Sequence, residues 1–296
     1  MRKMLNRAMY ILRDEGLLSL FDRSMHFVHQ QAQQYITAKI NSQFRKLKYS
    51  DASPERYNII HVDPNEIDFM TSPHFWGYIS SYDTHIISGD WDSVDSDRVV
   101  RLVSNLEDYN ERKAIPIDNY IFYTSLEKHF NEDLPWESTE LYQYLREIDG
   151  FDGHARYGTT SAIHDRLEGI DHLFKSMQKQ GYLTQREVDR DDDPFADDLK
   201  ETHPINPQAP PDHHEVAINI GRDGEIYFDD GRHRFACARI LEIESIPVRV
   251  FVRHQRWQTI REKVAQETNP DELSGEIQEY LNHPDIQPLL RKSNSE

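Results

Sequence analysis

The chain of 296 residues carries a single cysteine, Cys237. That excludes a disulfide framework, a cysteine-rich zinc site and a two-cysteine redox centre. No uninterrupted apolar run approaches the ~20 residues of a membrane span. The stretch after Arg2-Lys3 is broken by Arg7, Arg13, Asp14 and Glu15, unlike a signal peptide, so a cytoplasmic location is expected. Positive charge is scarce: 34 Lys and Arg stand against 52 Asp and Glu, a formal net charge of −18. A body of that sign repels polyanions, and polymeric nucleic acid is not an expected partner. Lysine is the scarcer base, 11 against 23 arginines, and Asp is abundant. This is the composition of proteins that stay soluble in concentrated salt, so a halophilic type is expected. Despite 15 histidines there is no His-x-x-x-His or His-Glu-x-x-His pair, and no G-x-S-x-G elbow. A dedicated zinc or iron site and a serine hydrolase are not expected.

The charge is unevenly spread. Residues 1–50 hold nine Lys and Arg against three Asp and Glu, a net of +6, which leaves −24 for the remainder. The same segment reads as helix over 3–47, with Met4, Leu5, Ala8, Ile11 and Leu12, then Leu17, Leu18, Phe21, Met25 and Val28 at helical spacing. A basic amphipathic helix can lie on an anionic membrane surface, peripheral to it, or dock on a protein partner; equally, it can pack on the acidic body. Both readings stay open at this point.

Beyond it, 32 aromatic side chains can fill a core. Tyr57 to Val62 reads as a strand, 73–97 as an aromatic, acidic loop with Ile86-Ile87 as a short strand, and 98–150 as helical pieces. Residues 162–180 form an amphipathic helix through Leu167, Ile170, Leu173, Phe174 and Met177, stopped by Gly181. Residues 189–212 are Asp- and Pro-rich, without a packing period. Val216, Ile218 and Ile220 alternate as a strand, Gly221-Arg222-Asp223-Gly224 turns, and Ile226 and Phe228 start a second strand. Ile246, Val248, Val250 and Val252 alternate again, and two terminal helices follow through Trp257, Ile260 and Val264, then Leu273, Ile277 and Leu281.

The chemistry-bearing feature is the strand-to-helix turn Asp230-Gly231-Arg232-His233-Arg234. Glycine at such a turn allows close backbone approach, and the first N–H groups of a helix lack intrahelical acceptors. The helix dipole is positive there, so the turn suits phosphate. Arg232, His233 and Arg234 add donors capable of charge-assisted bonds. The structural alternative is that both arginines pair with neighbouring acids.

On these residues the chain resembles the domain shared by ParB partition proteins and sulfiredoxin. The resemblance rests on a helix ending in Gly181, an expected strand at 183–188, a hairpin over 216–228, Asp230-Gly231-Arg232-His233-Arg234 followed by Ala236 and Ala238, and Ile246-Pro247-Val248. Val62-Asp63-Pro64-Asn65-Glu66-Ile67 is similar to an earlier strand of that family. The resemblance covers about residues 164–254. With the helical insertion near 98–160, the acidic loop at 189–212 and the helical extensions at 1–50 and 255–296 read from the residues themselves, it implies an α/β (α+β) fold with a small mixed sheet. It also implies that Gly231, Arg232, His233 and Arg234 bind a nucleoside triphosphate, ATP or CTP with Mg2+. A phosphotransferase or nucleotidase acting on a small-molecule acceptor, or a nucleotide-sensing adaptor, would follow. Where sulfiredoxin has its cysteine stands Arg232, and Cys237 lies inside the helix, so sulfinic acid reduction is not expected. Only about 40 residues follow the domain, too few for the DNA-binding region of a partition protein. Transfer needs an acid as base or Mg2+ ligand. Asp90 and Asp92 are the expected metal ligands; Asp90, Asp92 and Asp230 are the catalytic candidates, with Asp229, Glu66 and Asp63 as further acids.

Overall fold

The computed structural model describes Arg13 and residues 43–54, 58–71, 84–92, 114–148, 160–188, 211–267 and 269–293. Most of the expected N-terminal helix, the aromatic loop at 73–83, residues 98–113 and 149–159 of the insertion, and the acidic loop at 189–210 lie outside the described residues. The chain divides into two compact units, Met1–Ser53 and Pro54–Glu296. In the first, residues 43–49 are helical and run into a 3₁₀ turn, Ser50–Ala52, with Tyr49 and Ala52 buried. No helix among the described residues is long and apolar enough to cross a membrane.

The second unit is mixed α/β, built on a seven-stranded mixed sheet. Its strands are β1 (Ile59–Val62), β2 (Phe69–Thr71), β3 (His85–Ile87), β4 (Ala114–Pro116), β5 (Val216–Ile220), β6 (Ile226–Asp230) and β7 (Ile246–His254). The order is β1-β7-β5-β6-β2-β4, and β3 pairs with the far half of β7 on the edge that β1 leaves open. The β5–β6 hairpin is antiparallel, whereas β5 and β3 run parallel to β7 and β2 runs parallel to β6. The helices are α1 (Ile121–Glu132), α2 (Glu140–Ile148), α3 (Thr160–Gln180), α4 (Gln185–Val188), α5 (Arg232–Ile240), α6 (Gln255–Gln266), α7 (Gly275–Gln278) and α8 (Gln287–Ser293).

Two expectations are corrected. Residues 183–188, expected as a strand, close into the single turn α4. Thr184 and Glu187 form a reciprocal capping box there: Thr184 N donates to Glu187 Oε2 at 2.7 Å and Glu187 N to Thr184 Oγ1 at 3.2 Å. The insertion read as helical pieces contains strand β4 as well as α1 and α2. β2 and β4 escape the periodicity because three residues are too few to display one.

One face of the sheet carries the main core. Ile218, Ile220, Phe228, Val248 and Val250 pack beneath α1, α3 and α5, where Leu126, Ile163, Leu167, Phe235 and Cys237 are buried. Phe228 and Phe235 stack with centroids 4.4 Å apart. The other face buries Trp91, Ala217, Tyr227 and Phe251. A bulge links the faces. Ile218 pairs with Val250 but Asn219 with Val252, so β7 gains one residue. The slip reverses the alternation, and Arg253 turns toward the main core instead of sharing the side of Arg249 and Phe251. Asn219 repairs the interrupted ladder: its Oδ1 accepts from Val252 N at 3.0 Å, and its Nδ2 donates to Thr71 Oγ1 at 2.7 Å and to Asp229. Asp229, one of the candidate acids, is thereby a buried support of the sheet.

The re-aimed Arg253 fastens the C-terminus. Arg253 and Asp285 are both fully buried, with Nε to Oδ2 at 2.8 Å and Nη2 to Oδ1 at 2.5 Å. Arg261 of α6 approaches Asp285 Oδ1 at 3.0 Å and Trp257 Nε1 donates to Oδ2 at 2.9 Å. Burial alone would raise the Asp285 carboxyl; Arg253 and Arg261 overcome it and hold it well below the usual range. Replacing Asp285 with Ala strands two buried guanidiniums and is expected to cost roughly 3–5 kcal/mol, read from urea unfolding. Beside it, His283 Nδ1 accepts from Asp285 N at 3.0 Å, and its Nε2 donates to Gly224 O at 2.9 Å. Burial lowers the His283 pKa, so the unfolded chain binds its proton more readily. Stability from this group is complete above the ordinary value of ~6.5 and erodes as pH falls below it toward the folded value. The slope of stability between neutral pH and pH ~5 is therefore expected to flatten in His283→Gln, and an unchanged slope would contradict the assignment.

Candidate functional site

Strand β6 ends at Asp230, and α5 starts at Arg232 with Gly231 as its N-cap. Gly231 takes φ +89°, and a Cβ there would lie 3.0 Å from Val216 Cα and 3.1 Å from its Cγ2. The position demands glycine on conformation and on space. Gly231 N donates to Asp230 Oδ1 at 2.7 Å, and Phe235 N closes the first turn on Gly231 O at 3.0 Å. As a glycine, the N-cap brings no side chain of its own to the first turn of α5.

The three cationic candidates have different surroundings. Arg234 lies over the Tyr182 ring, donates Nη1 to Glu215 Oε2 at 2.8 Å, and reaches His214 O through Nη2. Tyr182 also donates to Glu215 Oε2 at 3.1 Å, and Gln185 N to Oε1 at 2.6 Å. Burial works against the Arg234 charge, but Tyr182 and Glu215 raise its pKa above the ordinary value. Arg234 is thus a structural cation that ties α5 to the start of β5, as the structural alternative held. His233 is buried against Phe122 in an edge-on contact of 4.9 Å, and its Nε2 meets Arg166 Nη2 at 3.1 Å. A guanidinium only donates, so Nε2 accepts and the ring proton sits on Nδ1. Arg232 is half-buried, with its guanidinium 5.2 Å from the Phe122 centroid.

The acids do not gather on this turn. Asp90 and Asp92 sit at the opposite end of the β5–β6 hairpin, a strand of five residues away, or roughly 16 Å at ~3.3 Å per residue. Arg222 holds both: its backbone N donates to Asp92 Oδ2 at 2.6 Å, and its Nη2 to Asp92 Oδ1 at 2.6 Å and to Asp90 Oδ1 at 2.8 Å. Burial raises the Asp92 carboxyl, but the Arg222 bonds outweigh it and leave the pKa lowered. The expectation that Asp90 and Asp92 bind metal or act as bases beside residues 231–234 therefore fails; their carboxylates fasten the segment after β3 to the hairpin. Asp63 caps the turn Pro64–Glu66 through Asn65 N at 2.8 Å. Glu66 is exposed, and Asp229 serves the sheet. Only Asp230, exposed at the end of β6, remains on the turn. Among the described residues no group of three His, Cys, Asp or Glu is placed to hold a metal ion. Cys237 is fully buried and its thiol is pushed up by burial, then by Asp171, which makes it core rather than nucleophile.

Comparison with protein-family models, with curated proteins and with solved structures found no match. The turn must be judged on its own chemistry.

The sequence reading missed Arg166, Phe122, Tyr182 and Glu215. Arg166 had left a signal. It falls on the apolar face of α3, between Ile163 at i−3 and Ile170 at i+4, where a cation is out of place unless it is used. The left-handed turn gives a direct test. Gly231→Ala is expected to cost at least ~1–2 kcal/mol from conformation, more because Val216 must move, and an unchanged urea midpoint would contradict the account.

Proposed function

We infer that the chain is a nucleotide-binding protein in which the turn at residues 231–234 receives the phosphates of ATP or CTP. The observation that carries this reading is Gly231: left-handed and pressed on Val216, it sets the first turn of α5 directly after β6, where the N–H groups of Arg232, His233 and Arg234 have no intrahelical acceptor. Arg232 on the Phe122 ring flanks that turn, and the Arg166–His233 pair lies behind it. The order of helix, hairpin, turn, helix and strand supports a ParB/sulfiredoxin-like architecture for 164–254. With Asp90 and Asp92 engaged by Arg222, the better reading is a sensor or adaptor that binds without transfer. No step is assigned to Mg2+, because the acids expected to hold it do not fit. Asp230 alone keeps a second reading open, with its carboxylate as base for a hydroxyl acceptor.

Calorimetric titration with ATP and CTP, with and without Mg2+, tests the inference. Arg232→Ala is expected to weaken binding roughly ten- to a hundredfold, the range of one charge-assisted bond, while Asp92→Asn leaves affinity unchanged. No binding of either triphosphate would sink the reading. Phosphate release that disappears in Asp230→Asn would favour the transferase over the sensor.

A further inference from the structure

The described part of the N-terminal unit carries an exposed apolar pair. Phe44 is 67% and Leu47 84% exposed, and at a spacing of three they share one helix face. In the sequence, Ile40 and Ile36 lie four and eight residues before Phe44, outside the described residues. Arg45, Lys46 and Lys48 are interleaved with the exposed pair, in a segment of net +6. Among the described residues no other large hydrophobic side chain is exposed.

We propose that this helix docks on an anionic lipid surface, with Phe44 and Leu47 in the headgroup–acyl boundary and the interleaved bases at lipid phosphates. Two requirements select the occupant. The basic residues call for negative charge, which the −24 remainder of a second copy would also supply. Phe44 and Leu47 call for an apolar medium, and pairing with the same face of a second copy would bring Arg45, Lys46 and Lys48 against their like. A bilayer of acidic lipids meets both. The acidic body opposes the approach, but its repulsion is confined to about 10 Å at 0.1 M salt, whereas the apolar contribution persists as salt rises.

Flotation of the full chain with phosphatidylglycerol–phosphatidylcholine vesicles, against phosphatidylcholine alone, tests the proposal. The chain is expected to float with the acidic vesicles only. Phe44→Ser/Leu47→Ser, both at solvent-facing positions, is expected to reduce the bound fraction about tenfold or more while leaving the circular dichroism unchanged. Lys46→Glu is expected to reduce it as well. Failure of the unaltered chain to float, or equal flotation of the double variant, would overturn the proposal. So would dimerisation without lipid that the double variant abolishes, since that outcome assigns the pair to a second copy.

Discussion

Everything around the candidate site depends on one close approach, that of Gly231 to Val216. Helix α5 can leave β6 and fold back over the main core only if the chain turns sharply after Asp230. The turn is made by one residue at φ +89° lying against the neighbouring strand. Once made, it puts Phe235 on Phe228, brings Arg234 to Glu215 beside β5, and sets His233 and Arg232 against Phe122 of α1. Packing and candidate chemistry therefore share one constraint. A side chain at 231 would disturb both.

Arginine used as a two-armed fastener recurs through the unit, the second arm of Arg234 resting on His214 O. Arg234 with Glu215, Arg222 with Asp90 and Asp92, and Arg253 with Asp285 each join segments distant in sequence. The planar guanidinium suits such paired contacts better than an ammonium does. The excess of Arg over Lys, read first as solubility in salt, thus has a second physical reason inside the fold. It also commits Arg234, held by Glu215 and His214 O, to the fold, while Arg232 lies against the Phe122 ring.

The sequence was legible where period and burial agree. β5, β6 and β7 alternate, α3 carries an apolar stripe, and Gly231 sits where a strand meets a helix. It was misleading where a short local device decided the outcome. The Thr184–Glu187 capping box made a turn of an expected strand. The pairing of Asp92 with Arg222, 130 residues apart, turned a supposed metal loop into a fastener, and no local pattern encodes a partner at that separation. The bulge at Asn219 is hidden for the same reason: an asparagine in a strand becomes meaningful only when β7 lies beside it.

The central claim is that the N-terminus of α5 is an anion site. It is tested most directly by following backbone amide resonances during titration with ATP and CTP. The account predicts saturable shifts at Arg232, His233 and Arg234, weakening as salt is raised, with the Arg222 hairpin at the far end of β6 unmoved. Saturation without movement at 232–234, or shifts centred on Arg222, Asp90 and Asp92, would contradict it.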